Sequence, residues 1–272
     1  MSFISRSPVG IAMPRADLRT VLRKLGQMSS ILQIYDAGDD ASYSTGQTWT
    51  DLSGNGIDLY RGSGSGSDAA DPTFNGTAGR RSSSEYWGFD GGDYFTLTAA
   101  NPARIDNMHK NNATLTMLCW ANPVNTTTNQ SVFGNTQNVG NTGVHFVIAN
   151  GGFCIARVMN AGSQELVAQN SGTPRYVAGA WQMFFWTMNE ATGFGEIGWF
   201  GAASHSTSFT STIPSPAAGG ASFTTQICAR GNAGTPFSSG SFFNCFASWE
   251  GRALTLDELR AIFHATRGKF GV

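Results

Sequence analysis

Residues 31–60 read ILQIYDAGDDASYSTGQTWTDLSGNGIDLY, and this stretch decides the fold. An apolar run at 31–35 ends in the acids Asp36, Asp39 and Asp40, and a second run at 57–60 follows a polar, turn-rich segment. Within that segment Gly54 and Gly56 tolerate left-handed backbone, while Asp51, Ser53 and Asn55 can hydrogen-bond their own main chain. The stretch is strand, tight turn, strand. A turn-forming role outweighs a ligand role for these side chains, and Asp90-Gly91-Gly92 reads the same way.

Working outward, short apolar runs recur at 94–97, 114–121, 143–148, 153–159, 181–188, 196–200, 223–229 and 242–249, divided by Gly, Asn, Ser and Thr. Many short strands with polar turns predict an all-β, two-sheet antiparallel jelly-roll sandwich. The Gly/Ser tract at 62–67 is a loop within it. A short C-terminal helix follows: Thr255 and Glu258 spell a capping box, Leu254 and Leu259 a staple, and Gly268 a stop.

Composition agrees. Charged residues are 13% and hydrophobic ones 40% of 272, enough core to exclude wholesale disorder. A formal net charge of −1 provides no field for direct nucleic-acid binding. No apolar run reaches the roughly 20 residues of a membrane helix. Cys119, Cys154, Cys228 and Cys245 form no C-x-x-C pair, and no signal-peptide core precedes them, so reduced structural thiols are expected.

The N-terminus stands apart. Arg6, Arg15, Arg19, Arg23 and Lys24 face the single acid Asp17 within the first 26 residues. Between Pro14 and Gly26, Leu18, Val21, Leu22 and Leu25 recur at helical spacing beside an Arg15, Arg19, Arg23 stripe. Such a helix is too short to stand alone in water and must lie on its own domain or on a partner. The expected division is an arm at 1–28 and a jelly-roll domain at 29–272. Arg15, Leu18, Arg19, Leu22, Arg23 and Leu25 are the candidate partner-binding residues, so a chain lacking residues 1–26 should still fold.

Trp49, Asp51 and the S-G-N-G run at 53–56, FDGGDYFTL at 89–97, TLTMLCWANP at 114–123, AWQMFFWTMN at 180–189 and FNCFASWEGRALTLDELRAIFHATR at 243–267 occur in one order. In that order they resemble LamG-like domains of the concanavalin A-like superfamily, of the kind found in bacteriophage structural proteins. The resemblance covers about residues 31 to 267. It implies a jelly roll, with calcium or sugar bound in some relatives.

Enzyme motifs are missing. No Glu has an Asp two residues later, so the paired-carboxylate strand of the related glycosidases is absent. Gly193, Gly195 and Gly198 spell G-x-G-x-x-G, but an aromatic strand follows where a helix should, so the run is a hairpin turn. His109, His145, His205 and His264 lack metal-ligand spacing. No cofactor is expected. Calcium is the one ion with candidate oxygen ligands, at Asp36, Asp39 and Asp40 or at Asp90 and Asp93. Trp87, Tyr176 and Trp199 are the candidate glycan-stacking residues, with burial in the core as the competing reading.

The function expected from these features is a non-enzymatic virion surface protein. Its arm would dock it to other virion proteins, as part of a homo-oligomer on a phage head or tail. The alternatives are a carbohydrate-binding adhesin module and a glycan-cleaving enzyme.

Overall fold

The computed structural model describes residues 16–137, 140–170 and 172–272. In chain order its regular elements are α1 (Leu18–Lys24), β1 (Ile31–Asp36), β2 (Thr48–Trp49), β3 (Leu59–Arg61), β4 (Thr73–Asn75), β5 (Tyr86–Gly88) and β6 (Phe95–Leu97). Next come α2 (Ala103–Asp106), β7 (Thr114–Asn122), β8 (Gln130–Gly134), β9 (Gly143–Ala149), β10 (Phe153–Asn160) and β11 (Ser163–Asn170). The last are β12 (Gln182–Asn189), β13 (Phe194–Phe200), β14 (His205–Ser208), β15 (Gln226–Ile227), β16 (Phe242–Glu250) and α3 (Leu256–Phe270).

The strands form two antiparallel sheets of eight. Sheet I runs β14-β13-β12-β7-β16, and the far edge of β16 is shared by β5, with β4 beyond it, and by β1. Sheet II runs β11-β10-β9-β8-β15-β6-β3-β2. This is the jelly-roll sandwich expected from the sequence.

The period of two divides each central strand between two cores. On β7, Leu115, Met117, Cys119 and Ala121 face sheet II, whereas Leu118 and Trp120 face the opposite way. β12 divides likewise, with Phe184, Trp186 and Met188 inward and Met183 and Phe185 outward. The outward set is covered by α1 and α3, which makes a third layer. Trp120 stacks on Phe270 at 4.1 Å between centroids, and its indole N–H donates to Thr266 Oγ1 at 3.0 Å. Trp249 donates to the Gln27 carbonyl at 2.8 Å.

The W-x-D-x-S-G-N-G turn has the role read from its residue types. Asp51 accepts from the Ile34, Ser53 and Ile57 amides, and Asn55 Nδ2 donates to the Ile31 and Leu32 carbonyls. Gly54 and Gly56 take the left-handed φ values 94° and 67°. The turn thus clamps β1 from the side. All four cysteines are free and buried.

Three expectations are corrected. The N-terminal helix is not a free docking arm: Leu18, Val21 and Leu22 are 1% exposed or less, and Leu18 and Leu22 pack with α3 on sheet I. Asp17 caps α1 by accepting from the Thr20 amide, and Asp36 at the end of β1 accepts from the Leu18 amide at 2.8 Å. Seven residues cannot hold a helix alone, and the open apolar face of sheet I supplies what they lack. Leu25 is half-buried, Arg19 lies 3.5 Å from Asp39, Arg23 is exposed, and Arg15 falls outside the described residues. Second, α3 runs through Gly268 to Phe270 and stops at Gly271, which has φ 71°. A mid-helix glycine costs about 1 kcal/mol, less than burying a phenylalanine returns. Third, the run at 223–229 shortens to the two residues of β15. The strands β2, β4, β5, β8, β11 and β14 add to those read from the sequence, being too short or too polar to show a pattern.

Candidate functional site: an acidic, aromatic groove at the bare end of sheet I

The helices do not cover all of sheet I. Where α3 ends, Phe270 meets Trp181 at 5.0 Å, and Trp181 leads to Tyr86 at 6.2 Å and Phe242 at 6.5 Å. Tyr86 and Phe242 lie 4.5 Å apart, and all three rings of this surface row are half-buried. Strand alternation puts them there. Trp87 and Phe243, the next residues along β5 and β16, turn inward to the sandwich core.

Beside this row opens a groove of about 490 Å³ lined by Asp68, Asp71, Asp90, Asp93, Asn75 and Phe242, among others. Asp93 is buried at 3% exposure, and its carboxylate accepts from the Asp90 amide at 2.8 Å. Burial pushes the Asp93 carboxyl up to about 6, and the Asp90 and Asp71 charges push the same way against that hydrogen bond. Asp68 is held below the ordinary carboxylate range, chiefly by the Ser63 hydroxyl. Asp71 accepts from Ser67 and Gln47 through one oxygen and has its other oxygen buried without a partner. The groove therefore offers carboxylate acceptors beside aromatic faces. Sugars are recognised by that combination, hydroxyls to the acceptors and C–H faces to the rings.

Among the described residues no group of three or more His, Cys, Asp or Glu could hold a metal ion. Asp36, weighed as a calcium ligand, instead accepts from the Leu18 and Gly38 amides and from Lys269 Nζ, each at 2.8 Å. Asp39 faces Arg19, and Asp90 caps its own turn at Gly92.

Trp87, Tyr176 and Trp199 do not form a glycan platform. Their exposures are 0%, 2% and 0%, and all three sit in the core between the sheets. They are large aromatics at inward strand positions or bonded inward, as Tyr176 is through its hydroxyl to the Asn125 carbonyl. Of the residues singled out from sequence, the groove brings together Asp90 and Asp93. Tyr86, Trp181, Phe242, Asp68 and Asp71 were missed. For Tyr86 and Phe242 a signal existed: each precedes a core aromatic by one position in a strand and so must face the other way.

One hydrogen bond elsewhere has the form of a nucleophile–base pair, Ser131 Oγ to His145 Nε2 at 2.8 Å. Ser131 is fully buried, and burial, with Arg157 and Arg230 nearby, drops His145 to about 3. A base that weak does not take a serine proton near neutral pH.

No protein-family model matches the chain, and no curated protein matches it. Solved structures of similar shape do. The binding domain of botulinum neurotoxin DC in complex with SialylT superposes with TM-score 0.58 at 10% identity, over 88% of this chain and 52% of that one. A botulinum neurotoxin type C structure, whose cell entry depends on interaction with two ganglioside molecules, gives 0.58 at 12% identity over 88% and 52%. Trypanosoma rangeli sialidase in complex with 2,3-difluorosialic acid gives 0.52 at 11% identity over 90% and 38%. The chain spans about half the length of the neurotoxin structures. At such identities the likeness is one of fold. It defines the class by fold alone, as a two-sheet antiparallel jelly-roll sandwich.

Proposed function

We propose that this protein is a carbohydrate-binding jelly roll whose ligand lies in the groove between Asp68, Asp90, Asp93 and the Tyr86–Phe242–Trp181 row. The observation that carries the reading is the juxtaposition of half-buried rings with carboxylate acceptors at the uncovered end of sheet I. The neurotoxin structures of the same fold, one in complex with SialylT and one tied to gangliosides, support it. A glycan array tests it. Wild-type protein should retain a neutral glycan, and Phe242→Ala should lose it while folding normally. Equal retention by Phe242→Ala, Asp90→Asn and wild type would place the ligand elsewhere.

Hydrolysis is the second reading, favoured by Asp93, a groove carboxyl raised to about 6 beside another acid. The sialidase of the same fold keeps that reading open. Reducing-sugar release abolished by Asp93→Asn would establish it.

A virion surface location, virion partners and a homo-oligomer rest on the phage-like resemblance alone. With Leu18 and Leu22 seated on their own domain, docking through that stripe is not part of the proposal. Mass spectrometry of purified particles from the source tests the location.

A further inference from the structure

The outer face of sheet II carries a second recess, of about 250 Å³, lined by Thr136, Gln137, His145, Arg157, Met159, Gln164 and Arg230. β10 supplies Arg157, opposite His145 on β9 in register. Arg230 comes from the other side, on a loop closed by paired backbone bonds with Gly234 at 2.8 and 3.0 Å. The loop crosses β8 so closely that a Cβ at Gly134 would lie 2.6 Å from the Arg230 Cα. Both arginines are half-buried.

What the recess lacks is a counter-charge. The ion pairs among the described residues use Arg19, Arg81, Arg104, Arg252, Arg260 and Lys269, so neither Arg157 nor Arg230 has a carboxylate within 4.0 Å. The Nε atoms of both are buried without a hydrogen-bond partner, and so is the hydroxyl of Thr136, itself 1% exposed. Glu165, the acid on β11, is engaged by the Ser163 hydroxyl and the Ser215 amide. His145 stays neutral and adds no positive charge near neutral pH. Burial lowers both guanidinium groups, and Arg230 lowers Arg157 further. Two like charges face a half-buried recess with unused donors between them, an arrangement that an oxyanion relieves. Guanidinium forks match such an anion geometrically and charge-assist the bonds.

We propose that this recess binds the carboxylate or sulfate group of an acidic saccharide, gripped by Arg157 and Arg230 with Thr136 donating from the wall. The uncharged donors and acceptors of Gln137 and Gln164 fit the hydroxyls of the same sugar. The saccharide part rests on the glycan-binding reading above, whereas the anion part stands on the two arginines. The site lies on the opposite sheet from the aromatic groove, so the two are separable by mutation.

Calorimetric titration with a galacturonic acid trisaccharide, 3′-sialyllactose and a sulfated heparin disaccharide, against lactose as the neutral control, tests the proposal. At least one acidic probe should bind, and Arg157→Gln and Arg230→Gln should each weaken it about tenfold or more. The carboxylate and sulfate probes identify which oxyanion is preferred. Phe242→Ala should leave this binding unchanged, so failure of the aromatic groove and failure of the arginine recess are read independently. Inorganic sulfate should raise the melting temperature of wild type and not of Arg157→Gln, whose own melting temperature reports its folding. Absence of binding by every acidic probe overturns the proposal, even if sulfate protects. So does binding that survives both arginine substitutions, the result expected of a nucleic acid-like or diffuse electrostatic contact.

Discussion

The outer faces of the two sheets have opposite fates. Sheet I is roofed by α1 and α3 over Trp120, Trp249, Leu118 and Phe185, and its β4–β5–β16 end is bare of them. Among the described residues no helix joins the outer cluster of sheet II at Val147, Ala149 and Ile155, and that face holds two arginines without counter-ions. The first face is built for stability except at its margin, and the second leaves charge unsatisfied near its centre. In a sandwich with two outer faces, the chain's own helices decide which surfaces remain for ligands.

The sharpest way to break this comparison is to attack the roof. Leu22→Asp puts an unpaired charge into the core under α1 and should destabilise the fold by about 4 kcal/mol or more, read by denaturant unfolding. Removing residues 1–26 should act in the same direction. A truncated chain as stable as the full one would show that the roof is dispensable and restore the free-arm reading.

A somewhat smaller loss follows at the anchor of the roof. Asp36 and Lys269 pair at 2.8 Å with side chains 1% and 5% exposed, and Lys269 also donates to Asn244 Oδ1. Lys269→Met leaves Asp36 buried with two amide partners and should cost about 3 kcal/mol. If instead the variant matches wild type in urea, the pair does not hold α3 to β1.

Acid pH separates the two faces next. His145 on sheet II has its folded value depressed from 6.5 to about 3, so the unfolded chain takes up the proton first. Its contribution is present above pH 6.5 and is lost as pH falls, by at most about 1.4 kcal/mol per unit. Asp93 beside sheet I is raised from 3.8 to about 6, so its contribution is present below pH 3.8 and is lost as pH rises through 6. Between about pH 4 and 6 the two oppose each other. His145→Gln should therefore gain stability relative to wild type on acidification, and Asp93→Asn should lose it. Parallel profiles for His145→Gln and wild type would mean that the imidazole is not kept neutral.

The smallest expected effects fall on the ligand surfaces themselves. Phe242→Ala, at a half-buried ring, should shift stability by about 1 kcal/mol, and Arg157→Gln by less, with no loss or a slight gain. Thermal melts beside glycan retention make the check. A large stability loss in Arg157→Gln would mark that arginine as structural.

Much of this was legible beforehand. The turn at 51–56 and the capping box at Thr255 were readable because their hydrogen bonds are local, formed within a few residues by side chains whose types announce them. The third layer left a trace as well. Strands such as TLTMLCWAN and QMFFWTMN are apolar on both parities, as a strand buried on both faces must be. The two-layer sandwich expected from the sequence made no use of that trace, and the cover is supplied by α1 and α3. The sites were less visible. Tyr86 and Trp87 are neighbours in sequence, and only strand alternation sends one to the surface row and the other to the core. Arg157 stands out as a charge inside the run FCIARVMN, but no local pattern joins it to Arg230, 73 residues away.

Sequence alone determined the sandwich, its turns and its terminal helix, because periodicity, backbone allowance at glycine and capping act over short stretches of chain. Tertiary structure alone decided where α1 lies, which aromatics are exposed and that two arginines share a recess without an acid. Those outcomes depend on which faces meet across the sheets, and burial and charge pairing are properties of that meeting, not of any single segment.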